Sequence, residues 1–449
     1  MHIHILGICG TFMGGIAMIA RQAGFKVTGS DQNVYPPMST ELTNAGIELI
    51  EGFDPAQLDI GADLFIVGNV MKRGMPVIER LLNEHLPYVS GPQWLEEHYL
   101  VHKKVLAVAG THGKTTTSSM LAWILDKCGL NPGFLIGGIP RNFGISARNT
   151  DSEYFVIEAD EYDCAFFDKR SKFVHYHPQV LIMNNLEYDH ADIFDSVRDI
   201  QKQFHHLIRT IPGEGQIVMP ARDRNLEEVV QMGLWSHLKR VGDAAWLHAL
   251  KKKSDGSSFE VRRGDTSLGE VNFECTGDYN VQNALMAIET AAAVGITEHS
   301  AIQALGSFKL PKRRMELIGE KNGVRVYDDF AHHPTAIAAT IHGLREHLDP
   351  QDKLIAVFEP RSNTMKMGAI RQALAPALQE ADEIFVFAGP GVNWEVEALS
   401  GESAKPLKVT RDFEELQRLV VNAATPGSSI LVMSNGSFNG VHRKLLERL

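Results

Sequence analysis

One strand–loop–helix segment in the middle of the chain restricts the possible folds more than any other feature. Lys104 to Gly110 is an apolar run typical of a buried strand, and Thr116 to Cys128 has helical periodicity. Between them runs the sequence AGTHGKTT, which covers residues 109–116. Glycines in such a turn let backbone N–H groups face an anion, and the start of the helix adds a favourable dipole. The segment therefore predicts a phosphate-binding loop in an α/β sheet.

The loop is a shortened variant of the common nucleotide-binding pattern, which has a glycine where this chain has Val108. The Lys114 ammonium can reach the β- and γ-phosphates of a nucleotide, and the Thr115 hydroxyl can ligate Mg²⁺. The alternative is an ordinary glycine-rich turn with an exposed lysine. We expect nucleotide contacts from the whole loop: Gly110, Thr111, His112, Gly113, Lys114, Thr115 and Thr116.

Short apolar strands alternate with amphipathic helices through most of the chain, a rhythm that indicates parallel sheets covered by helices. At roughly 150 residues per domain, 449 residues suggest three domains. We predict an α/β protein with a Rossmann-like domain at 1–104, a central P-loop-type ATPase domain at 105–309 and a second Rossmann-like domain at 310–449. The exception to the rhythm is 251–276, which looks like a hairpin-rich insertion. The predicted strands are His2 to Leu6, Lys26 to Gly29, Leu64 to Gly68, Lys104 to Gly110, Tyr154 to Glu158, Val180 to Asn184, Val324 to Tyr327, Lys353 to Phe358, Glu383 to Phe387 and Ser429 to Met433.

Composition excludes several classes of protein. The chain has 44 Lys and Arg against 55 Asp and Glu, a formal charge of −11, which disfavours general nucleic-acid binding. Its 4 cysteines form no C-x-x-C pair, and no apolar run is long enough to span a membrane. The first ten residues look like a strand entering a glycine turn rather than a secretion signal. We expect a cytoplasmic protein that binds anions through local groups.

Two acidic segments follow predicted strands and are candidate metal sites. The first is E-A-D-E-Y-D, from Glu158 to Asp163, and the second is N-N-L-E-Y-D-H, which ends at His190. Ligands of parallel α/β sheets gather at the carboxyl ends of strands, and Mg²⁺ prefers carboxylate oxygens and phosphates. The alternatives are a solvated acidic loop for the first segment and a polar strand-end residue for His190. We expect Thr115, Glu158 and His190 to hold metal, with Lys114, Glu158 and His190 as the catalytic set.

A second glycine-rich loop lies near the start of the chain. Gly7 to Gly15 follows the first predicted strand and opens a helix predicted from Ile16 to Gln22, although its spacing is not G-x-G-x-x-G. Such a loop presents backbone donors to a diphosphate, and residues after the next strand often contact a ribose or base. The alternative is a tight turn that needs glycine for packing. The predicted contacts are Gly10, Thr11, Phe12, Met13, Ser30 and Asp31.

Together these segments resemble the Mur ligases, the ATP-dependent amide-forming enzymes of peptidoglycan metabolism. The resemblance covers nearly the whole chain and keeps the family's order of motifs, including the shortened loop. It implies that Asn280 contacts adenine and that Asp329 contacts the ribose of ATP. The Arg314 segment resembles the one leading into the third domain, where an arginine can close over phosphates. Taken alone, Arg314 also fits an interdomain ion pair and Asp329 a helix N-cap.

Within the family, the resemblance favours enzymes that use UDP-N-acetylmuramate. One branch adds L-alanine in de novo synthesis, and another attaches the recycled murein tripeptide L-alanyl-γ-D-glutamyl-meso-diaminopimelate in one step. Four segments resemble the second branch: the first glycine loop, G-I-P-R-N-F-G at 138–144, F-E-P-R-S-N-T at 358–364 and M-S-N-G-S-F at 433–438. They imply UDP-sugar contacts at Arg141 and Asn142 and peptide contacts at Arg361, Asn363 and Thr364.

The implied reaction is ligation through an acyl phosphate, with ATP and Mg²⁺ as cofactors, in peptidoglycan recycling. The modified lysine that holds a second metal in some members has no counterpart, because the region reads Gln203-Phe204-His205-His206. Two alternatives stay open. They are the L-alanine-adding ligase and, from another class, a P-loop ATPase or nucleotide sensor that performs no ligation.

Overall fold

Three β-sheets, each built from one continuous stretch of chain, organise the computed structural model of the protein. The structure describes residues 1–35 and 38–449. The sheets contain 5, 10 and 6 strands and carry helices on their faces. The three-domain α/β architecture expected from the sequence is confirmed. Within the described residues, no helix combines the length and apolar character needed to cross a membrane.

The N-terminal sheet is entirely parallel, with strand order β3-β2-β1-β4-β5. Its strand order reverses next to β1, so the loop after β1 lies at the crevice where α/β sheets bind ligands. The strands are β1 His2–Leu6, β2 Lys26–Asp31, β3 Glu48–Glu51, β4 Leu64–Val67 and β5 Tyr88–Ser90. The helices are α1 Thr11–Gln22, α2 Met38–Asn44, α3 Pro76–Asn83 and α4 Gly91–His98, with 3-10 turns at Pro55–Asp59 and Leu100–His102.

The central sheet has strand order β15-β14-β13-β12-β11-β10-β6-β9-β7-β8, and its middle, from β13 to β7, is parallel. Its strands are β6 Lys104–Ala109, β7 Gly133–Leu135, β8 Ala147–Arg148, β9 Tyr154–Ala159, β10 Val180–Met183, β11 Gln216–Pro220, β12 His237–Val241, β13 Leu247–Lys251, β14 Ser258–Arg263 and β15 Thr266–Asn272. Its helices are α5 Lys114–Lys127, α6 Val197–Ile208, α7 Arg224–Gln231, α8 Asp278–Ala292 and α9 Glu298–Leu305, with a 3-10 turn at Lys172–His175.

The C-terminal sheet has strand order β16-β17-β21-β18-β19-β20, with only the β16–β17 pair antiparallel. Its strands are β16 Glu316–Lys321, β17 Val324–Asp329, β18 Leu354–Phe358, β19 Glu383–Phe387, β20 Leu407–Thr410 and β21 Ser429–Met433. Its helices are α10 Pro334–His347, α11 Asn363–Met367, α12 Leu374–Ala377, α13 Leu399–Glu402, α14 Phe413–Ala423 and α15 Val441–Arg448. The 3-10 turns are Arg371–Ala373, Val396–Ala398 and Phe438–Gly440.

Two local features differ from the sequence prediction. Helix α1 begins at Thr11 rather than near Ile16, because the chain turns into it directly after Gly10. The hairpins expected within 251–276 are present, but they continue the central sheet at its edge instead of forming a separate insertion. Their outer strand, β15, is mostly exposed or half-buried, as an edge strand requires.

The two domain interfaces are built differently. One apolar cluster runs from the N-terminal sheet into the central sheet, and α1 lies so close that a Cβ on Gly15 would approach Leu135 Cδ1 to 2.2 Å. The C-terminal domain instead packs around clusters of its own residues. It meets the central domain largely through polar contacts, such as the 2.9 Å pair between His347 Nδ1 and Asp255 Oδ2.

Candidate active site

A cavity of about 540 Å³ lies where the three domains meet. Thr11 and Phe12 reach it from the N-terminal domain, and Asp329 and His332 from the C-terminal domain. The central domain supplies most of the wall, including the loop between β6 and α5. The cavity therefore collects residues from motifs that are far apart in the sequence.

The loop before α5 has the backbone of a phosphate-binding turn. Gly113 is left-handed, with φ +79°, and a Cβ there would meet Asn184 Nδ2 at 2.7 Å and Asn283 Oδ1 at 2.8 Å. Only glycine both adopts this left-handed backbone easily and lacks the Cβ that would collide with these two amides. The loop is also held from the side, because His112 N–H donates to Asn185 Oδ1 at 2.8 Å. Of the predicted nucleotide contacts, the cavity is lined by Thr111, His112, Gly113, Lys114, Thr115, Thr116, Asn280, Arg314 and Asp329.

The first two side chains of α5 are paired with carboxylates at the end of β9. Lys114 Nζ lies 2.8 Å from Glu161 Oε2, and Thr115 Oγ1 donates to Glu158 Oε2 at 2.9 Å. Burial alone would lower the pKa of Lys114, but Glu161 and Asp160 raise it above its usual range. Lys114 is therefore a permanent cation in the cavity at neutral pH.

Three side chains beside Lys114 form a candidate metal centre. Donor atoms of Asp160, Glu161 and His190 all lie within 4.8 Å of one another. His190 has a left-handed backbone, φ +54°, which aims its ring back toward Glu161 Oε1 at 3.2 Å. Burial opposes its charged form, yet the Glu161 carboxylate raises the pKa of His190 to about 9. Two carboxylates and one imidazole at this spacing offer the oxygen and nitrogen donors that a divalent ion can use.

The connection into the C-terminal domain is strained around Arg314. Its neighbours Arg313 and Met315 both have positive φ, +61° and +46°. The strain is held by Asp329, whose Oδ2 accepts from Met315 N–H at 2.7 Å. Arg314 itself lies 4.5 Å from the centre of the Phe330 ring and donates to Thr115 Oγ1 at 3.3 Å. It spans the domain junction and reaches the phosphate-binding loop.

Amide side chains at the start of α8 line the cavity next to the loop before α5. Asn280 Nδ2 donates to the Thr276 carbonyl at 2.7 Å, and Asn283 Nδ2 donates to Asn280 Oδ1 at 3.3 Å. Asn184 Nδ2 links this pair to β10 through a 3.1 Å bond to Asn283 Oδ1. Asn280 was predicted as an adenine contact, whereas Asn184 was not predicted.

The predicted diphosphate loop reaches the cavity only through Thr11 and Phe12 among the described lining residues. Gly10 is exposed just before α1, whereas the Met13 side chain is 7% exposed and packs in the core. Ser30 is fully buried, and Asp31 Oδ2 accepts from Cys9 N–H at 2.9 Å. Asp31 therefore shapes the loop, and Met13 has only its backbone to offer a ligand.

Other predicted substrate residues form hydrogen bonds within the central domain or across a domain boundary. Asn142 bonds to the Ser307 carbonyl and to Lys309 N–H, next to the exposed Arg141. Thr364 Oγ1 donates to Asp189 Oδ1 at 2.7 Å and accepts from Ala191 N–H at 3.2 Å. These bonds tie the C-terminal domain to the loop that carries His190.

Asn363 and Arg361 complete the same surface. Asn363 Nδ2 donates to Asp192 Oδ2 at 2.8 Å. Arg361 is 48% exposed and lies 4.0 Å from Glu359, so its guanidinium is available for a ligand. Asn363 therefore forms a contact between two domains, whereas the Arg361 guanidinium faces solvent.

Lys172, at the start of a 3-10 turn, is a charged cavity residue that was not predicted from the sequence. Beyond the cavity, the His175 ring contacts two carboxylates beside the buried Cys164. One belongs to Asp168, 2.8 Å away, and the other to Glu96 of α4, 2.6 Å away. These groups satisfy one another and link the N-terminal and central domains.

Family models match all three parts of the chain. Residues 2–102 match the Mur ligase family catalytic domain, 108–291 the Mur ligase middle domain and 313–436 the Mur ligase glutamate ligase domain. The chain belongs to the Mur ligase family. It is accordingly an ATP-dependent ligase that forms amide bonds, and the resemblance noted in the sequence is confirmed.

Several Mur ligases are similar to this chain over its full length. A UDP-N-acetylmuramate–L-alanyl-γ-D-glutamyl-meso-2,6-diaminoheptandioate ligase of Escherichia coli strain K12 is 55% identical, covering 100% of this chain and 98% of its own. A UDP-N-acetylmuramate–L-alanine ligase of Syntrophomonas wolfei is 32% identical, with 100% and 97% covered. The crystal structure of a murein peptide ligase from Psychrobacter arcticus 273-4 is 45% identical, with a TM-score of 0.76 and coverage of 100% and 98%.

Proposed function

We propose that the protein joins the lactyl carboxylate of UDP-N-acetylmuramate to the tripeptide L-alanyl-γ-D-glutamyl-meso-diaminopimelate in peptidoglycan recycling. The observation that carries the proposal is the 55% identity, over the full length, to a ligase whose name states these substrates. The identity to an L-alanine-adding relative is much lower, 32%. Because ATP and UDP-sugars are supplied in the cytoplasm, we expect the protein to act there.

Each domain then takes one substrate. We assign the UDP-sugar to residues 1–104, ATP to 105–309 and the peptide to 310–449. Thr11 and Phe12 bring the first domain to the cavity, and Lys114 lines it from the central domain. The exposed guanidinium of Arg361 offers a fork that suits a carboxylate of the peptide.

In the first step, an oxygen of the lactyl carboxylate attacks the γ-phosphorus of ATP, and the bond to the β,γ-bridging oxygen breaks to release ADP. Two anions meet in this step, so the cavity must supply positive charge. Lys114 provides a fixed cation, and Arg314 reaches the same phosphates from the domain junction.

The donor set also fits Mg²⁺, since hydroxyl and carboxylate oxygens surround the expected phosphate position. Thr115 and Glu158 would hold one ion, and His190 with Asp160 and Glu161 would hold another. Bound Mg²⁺ supplies charge neutralisation for the transferring phosphoryl group.

In the second step, the α-amine of the peptide attacks the acyl phosphate, and phosphate leaves from a tetrahedral intermediate. An α-amine has an ordinary pKa of about 8, so much of it is neutral near pH 7.5 without a strong general base. The role of the protein in this step is to position the amine.

The decisive experiment measures ADP release with UDP-N-acetylmuramate and ATP, adding either the tripeptide or free L-alanine. We expect turnover with the tripeptide at least about tenfold above that with L-alanine, because binding energy from the extra carboxylates is available only with the longer substrate. A preference for L-alanine would assign the protein to the de novo branch. Equal ATP turnover without the UDP-sugar would indicate a nucleotide sensor instead.

A further inference from the structure

Lys172 is a buried cation at the junction of the N-terminal and central domains. Its side chain is 11% exposed and lines the cavity. Nζ lies 2.8 Å from Asp160 Oδ2 and 5.3 Å from the centre of the Phe12 ring. It therefore stands between the predicted diphosphate loop and the carboxylates around Lys114.

The backbone around Lys172 is held firmly on both sides. Lys172 N–H donates to the Tyr162 carbonyl at 2.9 Å, and the adjacent Ser171 forms a bridge with Asp163. Phe173 is fully buried and stacks edge-on against Phe204. A flexible lysine side chain is thus presented to the cavity from a fixed point.

Asp160 shows how two ammonium groups can share one carboxylate here. Its Oδ2 contacts Lys172 at 2.8 Å, and its Oδ1 lies 3.7 Å from Lys114 Nζ. A substrate carboxylate that reaches both ammonium groups takes the place of Asp160 as their shared partner.

We infer that Lys172 binds the lactyl carboxylate of the UDP-sugar and holds it toward the γ-phosphate, an inference that rests on the proposed function. On binding, the Lys172 ammonium turns from Asp160 to the substrate carboxylate and remains protonated throughout. The carboxylate oxygen forms the bond to phosphorus, and the electron pair of the broken bond leaves with ADP. The diphosphate is bound by the loop before α1, so Lys172 distinguishes a sugar with a carboxylate from one without it.

The test compares the affinities of UDP-N-acetylmuramate and UDP-N-acetylglucosamine, which lacks the lactyl group, by titration calorimetry. In Lys172→Met we expect the affinity for UDP-N-acetylmuramate to fall about 30-fold, the usual loss for a hydrogen bond to a charged group. The affinity for UDP-N-acetylglucosamine should stay within about twofold, since its contacts are retained. The turnover number for ADP release should fall with the first affinity, and Lys172→Arg should restore part of both.

Lys169→Met is the matched control, because Lys169 lies in the same loop with a side chain 69% exposed. Retained binding of UDP-N-acetylglucosamine also reports that a variant is folded, and Lys172→Gln replaces Lys172→Met if the latter unfolds. Equal losses for both nucleotides, or no loss for either, would overturn the inference. If the wild-type protein itself does not prefer UDP-N-acetylmuramate, the proposed function fails instead.

Discussion

The two glycine loops of this protein share one backbone plan and differ in what they can do. Each follows a buried parallel strand, β1 or β6, and opens a helix, α1 or α5. Gly10, before α1, has φ −70° and open space where a Cβ would be. Gly113, before α5, has φ +79° and no such space. The backbone therefore accepts a side chain at Gly10 and not at Gly113.

The side chains that follow the glycines separate the loops further. Helix α5 begins with Lys114 and Thr115, both paired with carboxylates at the end of β9. Helix α1 begins with Thr11 and Phe12 and then turns apolar, packing Gly15 against the central domain. In both loops the strand–loop–helix arrangement presents backbone N–H donors to an anion. Fixed charge for phosphoryl transfer is present only at α5.

The largest expected effect comes from removing that charge. Lys114→Met should lower the turnover number for ADP release by about a thousandfold, because a preorganised cation at a developing charge is worth several kcal/mol. Glu161 keeps His190 as a partner, so the fold should survive. Steady-state kinetics and circular dichroism check both points. Lys127→Met, at the exposed end of α5, is the control, and near-normal turnover in Lys114→Met would contradict the contrast between the loops.

Alanine at each loop glycine sharpens the comparison. Gly113→Ala adds a strained residue and a close contact with Asn184, so we expect a lower melting temperature and a KM for ATP raised at least about tenfold. Gly10→Ala should leave the melting temperature unchanged and raise the KM for UDP-N-acetylmuramate by up to about tenfold, through crowding of the diphosphate. If Gly10→Ala raised the KM for ATP instead, the separate roles of the loops would be wrong.

The smallest effect concerns Glu96 of α4, which links the N-terminal domain to the central domain through His175 and His177. Although burial opposes its charge, hydrogen bonds from His175 and His177 lower the pKa of Glu96 to about 2. Its contribution to stability is therefore full above its unfolded pKa of 4.5 and is lost as the pH falls toward 2. We expect Glu96→Gln to be about 1 kcal/mol less stable than wild type at pH 6, with the gap narrowing as the pH falls below 4.5 and closing only near pH 2. Thermal unfolding at several pH values measures this gap, and Glu97→Gln on the same helix is the control. A gap that does not depend on pH would exclude the ionic link.

Local patterns predicted much of the fold. The strands β1, β19 and β21 have the predicted ends, since consecutive apolar residues bounded by polar ones leave little choice. The start of α1 was misplaced because Gly14 and Gly15 look like a turn. They lie inside the helix, at positions where Met38 and Leu135 leave no room for a side chain. Strand β16 was missed, because its polar residues suit an edge strand and carry little apolar signal.

The predicted nucleotide residues were the easiest part of the site, since seven of them are consecutive and their chemistry depends on the loop itself. Asn363 and Thr364 were predicted as peptide contacts, and those roles stay predictions. Their contacts in the structure are with Asp192 and Asp189, the latter 175 positions away in the chain. No spacing rule connects residues at that distance.

The sequence by itself determined the order of the three α/β units, the phosphate-binding loop and the family, because each depends on neighbouring residues whose backbone and side-chain preferences are local. Three results depended on the tertiary structure. Lys172 lines the cavity, the Met13 side chain packs in the core, and Thr364 hydrogen-bonds to the loop that carries His190. Those outcomes depend on how separate sheets pack. A buried charge is stable only next to an opposite charge or a ligand. The packing of the sheets determines which residues supply that partner.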